Sequence, residues 1–276
     1  MMGMRTFLKD CIPPILLRAM RSIYGGPLHF KGDYASWEEV SAKCSGYDAE
    51  HILAKVLAAT LKVKQDESLF ERDSVLFEEI EYTWPVLAGL MWAAALNGGK
   101  LSVLDFGGAL GSSYFQNCKF LQDLPDVSWN VVEQAHYVKA GLDFIQDDCL
   151  RFYSTIDACL GERQPNVVLL SSVLEYLPDP ILILNKIFAT NIDIVIIDRS
   201  AFLLNGEERF FIQNVSPDIF SASIPCRMVS EQSIKNIFKS NNMNLMTEFD
   251  SSGEKDRDFH YRGLIFIRNL NGMPIM

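Results

Sequence analysis

The run Val103-Leu104-Asp105-Phe106-Gly107-Gly108-Ala109-Leu110-Gly111-Ser112-Ser113 constrains the fold more than any other stretch of the chain. An apolar segment ends in an acid, turns through glycines and enters a helix opened by two serines. A parallel α/β sheet builds its nucleotide-binding loop in this way. Glycine lets the backbone bend sharply and approach a ligand, and the free N–H groups of the helix start favour electron-rich ligand atoms.

The rhythm on either side of this loop sets the architecture. Beyond Gly99 strands and helices alternate, with strands expected at about 101–106, 129–133, 150–153, 166–171 and 192–198. The unbroken apolar runs Val167–Leu170 and Ile194–Ile197 suit central parallel strands buried on both faces. Two more strands, at about 244–249 and 261–268, lie close together and suggest an antiparallel finish. The expected fold is therefore α/β and Rossmann-like, a seven-stranded, mostly parallel sheet with an antiparallel last strand.

Before Gly99 the pattern reads as helical. Ser36-Trp37-Glu38-Glu39 has the form of a capping box. Residues 48–63 carry apolar side chains at helical spacing, a further helix is expected through Leu76, Phe77, Ile80 and Tyr82, and another from Pro85 to Leu96. The chain then divides into a basic arm (1–30), a helical prelude or cap (31–99) and the α/β domain (100–276). An insertion at about 203–227 precedes a helix near Ser233–Phe238, and its Arg209, Gln213 and Arg227 suit an anionic acceptor.

Charge narrows the partners. The net charge of −10 argues against nucleic acid, whose binding needs a large basic footprint. Residues 1–31 run the other way, with Arg5, Lys9, Arg18, Arg21 and Lys31 against Asp10, interleaved with apolar side chains. Peripheral membrane contact through residues 1–24 is one reading of this arm, and packing on the chain's own acidic domain is the other. Six scattered cysteines and four histidines form no metal framework, so no metal is expected. The setting expected is the cytoplasm, with the arm at the inner face of the membrane. No signal for oligomeric state is present.

Ligands of such a sheet lie outside the carboxyl ends of its strands. The first strand supplies Asp105, Gly107, Gly108 and Gly111. The second ends in Glu133-Gln134, where an acid can accept both hydroxyls of a ribose. A dinucleotide loop, G-x-G-x-x-G, would place Phe106 where its first glycine belongs. The acid-x-G-x-G-x-G pattern of S-adenosylmethionine sites fits as Asp105-x-Gly107-x-Ala109-x-Gly111, with alanine at the middle glycine. The fourth strand and its sequel, Leu169 to Pro180, resemble the corresponding segment of class I S-adenosylmethionine-dependent methyltransferases, with Tyr176 where histidine is often found.

Over residues 28–268 the chain also resembles a narrower group of bacterial methyltransferase-like proteins, often encoded among surface-polysaccharide genes. The strings that carry this resemblance include Lys31-Gly32-Asp33-Tyr34, Glu71-Arg72-Asp73-Ser74, Gly111-Ser112-Ser113-Tyr114-Phe115-Gln116-Asn117 and Ile197-Asp198-Arg199. The resemblance implies S-adenosylmethionine as cofactor, with Asp105, Gly107, Gly108, Gly111, Glu133, Gln134, Ser171 and Ser172 around it. It implies methyl transfer, O-directed, to a sugar, glycan or small polar metabolite. Candidates for the base that such an acceptor needs are His136, Glu175 and Asp198. A nicotinamide-linked oxidoreductase and a donor-binding but catalytically silent interaction module stand as alternatives.

Overall fold

The computed structural model describes residues 28–44, 50–66, 70–215, 222–251 and 259–269. The basic arm expected at residues 1–30 lies almost entirely outside them. Among the described residues, no helix is long and apolar enough to cross a membrane.

The strand–helix alternation beyond Gly99 is present as β4 (Lys100–Phe106), α4 (Ser112–Leu121), β5 (Asp126–Val132), α5 (Ala135–Ala140), β6 (Leu150–Tyr153), α6 (Ile156–Glu162) and β7 (Val167–Ser171). It continues through α7 (Pro180–Phe188), β8 (Ile194–Leu203), α8 (Glu231–Ser240), β11 (Met243–Asp250) and β12 (Phe259–Arg268). The seven expected strands lie in the order β6-β5-β4-β7-β8-β12-β11. All are parallel except β12, which runs antiparallel to both β8 and β11, as expected for the last strand. The first four residues of β7 are buried, as are nine of the ten of β8, because helices cover both faces.

The sheet nevertheless has ten strands. The insertion expected at 203–227 is a ribbon of β9 (Glu208–Val215) and β10 (Ser223–Ser230), and β1 (Leu28–Tyr34) pairs with β9. β7 accompanies β8 only as far as Asp198, and β10 takes the vacated edge at Phe202 and Leu203. Ala201, Leu203, Phe211, Cys226, Met228 and Phe259 form a separate small core there. Alternation of buried and half-buried residues along β9 and β10 is the strand signal.

Residues 31–99 hold α1 (Trp37–Ser41), α2 (Glu50–Lys64) and α3 (Trp84–Leu96), but also the hairpin β2 (Phe70–Arg72) and β3 (Val75–Phe77). The helix expected through Leu76 and Phe77 is absent. Asp73 and Ser74 adopt left-handed backbone, φ +53° and +66°, which turns the chain back after two residues. The expected cap of α1 is present, with the Ser36 hydroxyl accepting from the Glu39 N–H.

Arg268, at the end of β12, fastens the edge of this body. Its guanidinium donates to the carbonyls of Thr190 (3.0 Å) and Ile192 (3.2 Å), between α7 and β8. Arg268→Ala leaves these acceptors without their donor and is expected to cost about 1–3 kcal/mol, measured as a lower urea midpoint.

Candidate functional site

The chain runs outward from β4 in both directions, first to β5 and β6 and then back to β7 and β8. This makes the carboxyl ends of β4 and β7 the switch point, where such sheets bind ligands.

The loop after β4 is shaped by three left-handed residues, Gly107 (φ +75°), Ala109 (φ +49°) and Gly111 (φ +91°). A side chain at Ala109 bears this left-handed backbone at some cost. The Gly107 N–H donates to the Val132 carbonyl at 2.9 Å, which ties the loop to the end of β5. A Cβ at Gly108 would stand 2.4 Å from an Asp105 carboxyl oxygen, so the loop lies directly on that acid. Asp105 is buried and accepts the Trp129 indole N–H at 2.9 Å. Desolvation pushes its pKa up to about 7 despite that bond. Glu133, at the end of β5, accepts the Gln134 N–H at 2.5 Å, and burial raises its pKa. Two of the expected donor-site residues, Asp105 and Glu133, therefore converge with the glycines, and Gln134 contributes its backbone.

Beyond β7 the geometry turns on Arg199. A bulge sets Asp198 and Arg199 opposite Gly263 of β12, and Arg199 takes φ +50°. Bulges of this kind re-aim side chains at sheet ends. The Arg199 guanidinium donates to the Ser171 hydroxyl (3.1 Å) and pairs with Asp198 (3.5 Å). Asp198 also accepts the hydroxyls of Ser171 (3.1 Å) and Ser251 (3.2 Å). Ser172 sits at φ +52° and donates its N–H to the Asp198 carbonyl. The expected serines thus join Asp198 in a network whose evident effect is to hold Arg199.

Glu175 differs. It is 2% exposed on the single turn that follows β7, and neither carboxyl oxygen has a hydrogen-bond partner. The Ser200 hydroxyl is buried beside it. Desolvation drives the Glu175 pKa up to about 8, against the opposing effect of its own backbone N–H, Arg199, the Ala201 N–H and the Ser200 hydroxyl. Once ionised, a carboxylate of this kind is a stronger base toward a hydroxyl than an ordinary one, and below about 8 it holds its own proton. His136 lies half-buried on α5 with its ring 4.8 Å from that of Tyr137. Arg209 and Arg227, suited in sequence to an anionic acceptor, pair instead with Asp33 and Glu208.

Two contributors escape sequence reasoning. Trp129 reads as a core aromatic, and its indole N–H toward Asp105 has no periodic signature. Glu71, known from sequence only as part of the Glu71-Arg72-Asp73-Ser74 string that carries the resemblance, is 1% exposed on β2. One of its oxygens accepts the Ser112 hydroxyl at the start of α4, and the other has no partner. The hairpin alternation Phe70-Glu71-Arg72 was the available signal, blunted by a turn of Asp-Ser rather than Asn-Gly.

No family model matches the sequence, and no curated protein does either. Among solved structures, the chain is similar to a magnesium protoporphyrin IX methyltransferase (ChlM) from Synechocystis PCC 6803 with bound SAM, at 13% identity and a TM-score of 0.43, covering 97% of this chain and 98% of that one. It is also similar to an S-adenosylmethionine-dependent methyltransferase from Clostridium acetobutylicum ATCC 824, at 12% identity, TM-score 0.44, covering 66% and 90%. A third is the N-terminal domain of EvdMO1 in the presence of SAH and D-fucose, at 11% identity, TM-score 0.45, covering 80% and 99%. The chemistry of the site rests on its own residues.

Proposed function

We propose that this protein is an S-adenosylmethionine-dependent methyltransferase acting on a hydroxyl of a sugar, glycan or other small polar acceptor. The observation that carries the reading is a glycine cradle laid on Asp105 after β4, with a buried carboxyl, Glu175, on the turn after the adjacent strand β7. The residues fit an adenosyl donor. Gly107, Gly108 and Gly111 bring backbone close to the ligand, Glu133 stands at the strand end where a ribose diol is read, and the start of α4 is open. The donor supplies a methyl group on a sulfonium, which needs alignment more than acid–base help. Glu175 is the group assigned to the acceptor's proton, with Arg199 and the Asp198 network holding the floor of the site. His136 and Asp198 remain secondary candidates. The phenylalanine at 106 and the acid buried beneath the loop weigh against a dinucleotide.

The acceptor reading is supported by the pairing of Arg209 and Arg227 with acids and by the buried Glu175, which favour a ligand rich in hydroxyl donors over a phosphorylated one. The setting proposed is cytoplasmic, with residues 1–24 as a peripheral membrane contact.

S-Adenosylhomocysteine is expected to raise the thermal midpoint of the protein, and NAD to leave it unchanged. Stabilisation by NAD alone would overturn the reading. Glu133→Ala removes a charge-assisted hydrogen-bond acceptor and is expected to weaken S-adenosylhomocysteine binding roughly 10- to 100-fold by calorimetry.

A further inference from the structure

The helix α4 spans ten residues and starts from Gly111, which has no side chain to cap it. Its first intrahelical bond joins the Phe115 N–H to the Gly111 carbonyl. The N–H groups of Ser112, Ser113 and Tyr114 therefore have no acceptor within the helix, and the positive end of its dipole faces the crevice. Over this end stands Glu71, brought from 41 positions earlier in the chain by the β2–β3 hairpin. The hairpin is fastened by the rings of Phe70 and Phe77 (5.5 Å apart) and by the Arg72–Glu81 ion pair at 2.9 Å.

Glu71 is an expensive residue to bury here. One oxygen accepts the Ser112 hydroxyl, while the other has no partner. The Ser74 N–H and Arg199 act on it more weakly, and Arg199 is engaged by Ser171 and Asp198. A purely structural cap for α4 would direct both oxygens to the helix. The arrangement instead places a row of open N–H donors beside an open carboxylate. Those are the two complementary halves of an α-amino acid headgroup, whose carboxylate seeks N–H donors and whose ammonium seeks an anion.

Resting on the methyl-donor reading, we infer that Glu71 and the N-terminus of α4 form the subsite for the donor's amino acid end, with Glu71 receiving the α-ammonium. The hairpin thereby becomes part of the donor site, although it precedes the α/β body in sequence. Desolvation has pushed the Glu71 pKa up to about 7, so an arriving ammonium favours its charged form and displaces a proton.

The test compares S-adenosylhomocysteine with 5′-methylthioadenosine, which keeps the nucleoside and thioether but lacks the headgroup. Calorimetry on the full chain is expected to show Glu71→Gln losing at least tenfold in affinity for S-adenosylhomocysteine and less than twofold for 5′-methylthioadenosine. Proton release on binding near pH 7, read from buffers of different ionisation enthalpy, is expected to be smaller in the variant than in the unsubstituted protein, because Asp105 and Glu133 remain. Ser112→Ala, which removes the anchor of Glu71, is expected to give a smaller loss with the same selectivity and serves if Glu71→Gln does not fold. Equal losses for both ligands, or none, would overturn the assignment while leaving the methyl-donor reading intact. Failure of the unsubstituted protein to bind either ligand would overturn both.

Discussion

Glu175→Gln is expected to make the ligand-free protein more stable at pH 8, by as much as a few kcal/mol, while changing little at pH 4.5. The sign follows from where the proton sits. In the native protein the Glu175 pKa is raised from 4.5 to about 8. Below about 4.5 the acid is protonated in native and unfolded chains alike. Between there and about 8 the unfolded chain gives up its proton and the native chain keeps it, so the native state binds more protons and loses stability as pH rises. Above about 8 the loss is complete, and an ionised carboxyl remains buried. Glutamine fills the same space without ever ionising. Urea midpoints of both proteins at pH 4.5 and 8 check the claim, and parallel falls would show that Glu175 is not the source. Asp105 and Glu71 are raised in the same direction, so some decline remains in the variant.

Trp129→Ala is expected to cost about 3–5 kcal/mol. Trp129 is fully buried in the middle of β5, in the cluster that includes Val103, Leu110, Tyr137 and Leu150, with the Tyr114 ring 5.9 Å away. Its removal opens a cavity and also strips Asp105 of the indole N–H. Trp129→Phe separates the two losses, because it keeps most of the packing and removes only the donor, and about 1–3 kcal/mol is expected. Either change pushes Asp105 further toward its neutral form. Denaturant midpoints measure the stability, and S-adenosylhomocysteine affinity reports whether the loop still lies correctly on the acid. An unchanged midpoint in Trp129→Phe would mean that Asp105 does not depend on the indole.

The parts of this molecule legible in sequence are those written locally. The seven strands of the α/β body follow from continuous apolar runs, because burial on both faces leaves no room for alternation. The loop after β4 follows from glycines that only a tight turn and close approach require. Glu175 is recognisable as an acid after the fourth strand of that body, but its isolation is not, since that arises when β10 closes over the turn at Leu174–Tyr176. Glu71 and Trp129 gain their roles from partners 41 and 24 positions away. β1 pairs with a strand far along the chain, which no local period records, and a two-residue turn without glycine hid the β2–β3 hairpin.

That distant pairing bears on how the molecule is assembled. Asp33, in β1, meets Arg209, in β9, across 176 positions of chain. Contacts of such span close late, because a long loop must first be ordered, while the neighbouring strands of the α/β body find one another early. The ribbon of β1, β9 and β10 is therefore expected to dock onto an already formed body and to be the first part to detach under mild denaturant. Such partial opening would uncover Glu175 and leave the glycine cradle standing. Amide exchange would record it as faster exchange in β1 and β9 than in β4 and β7.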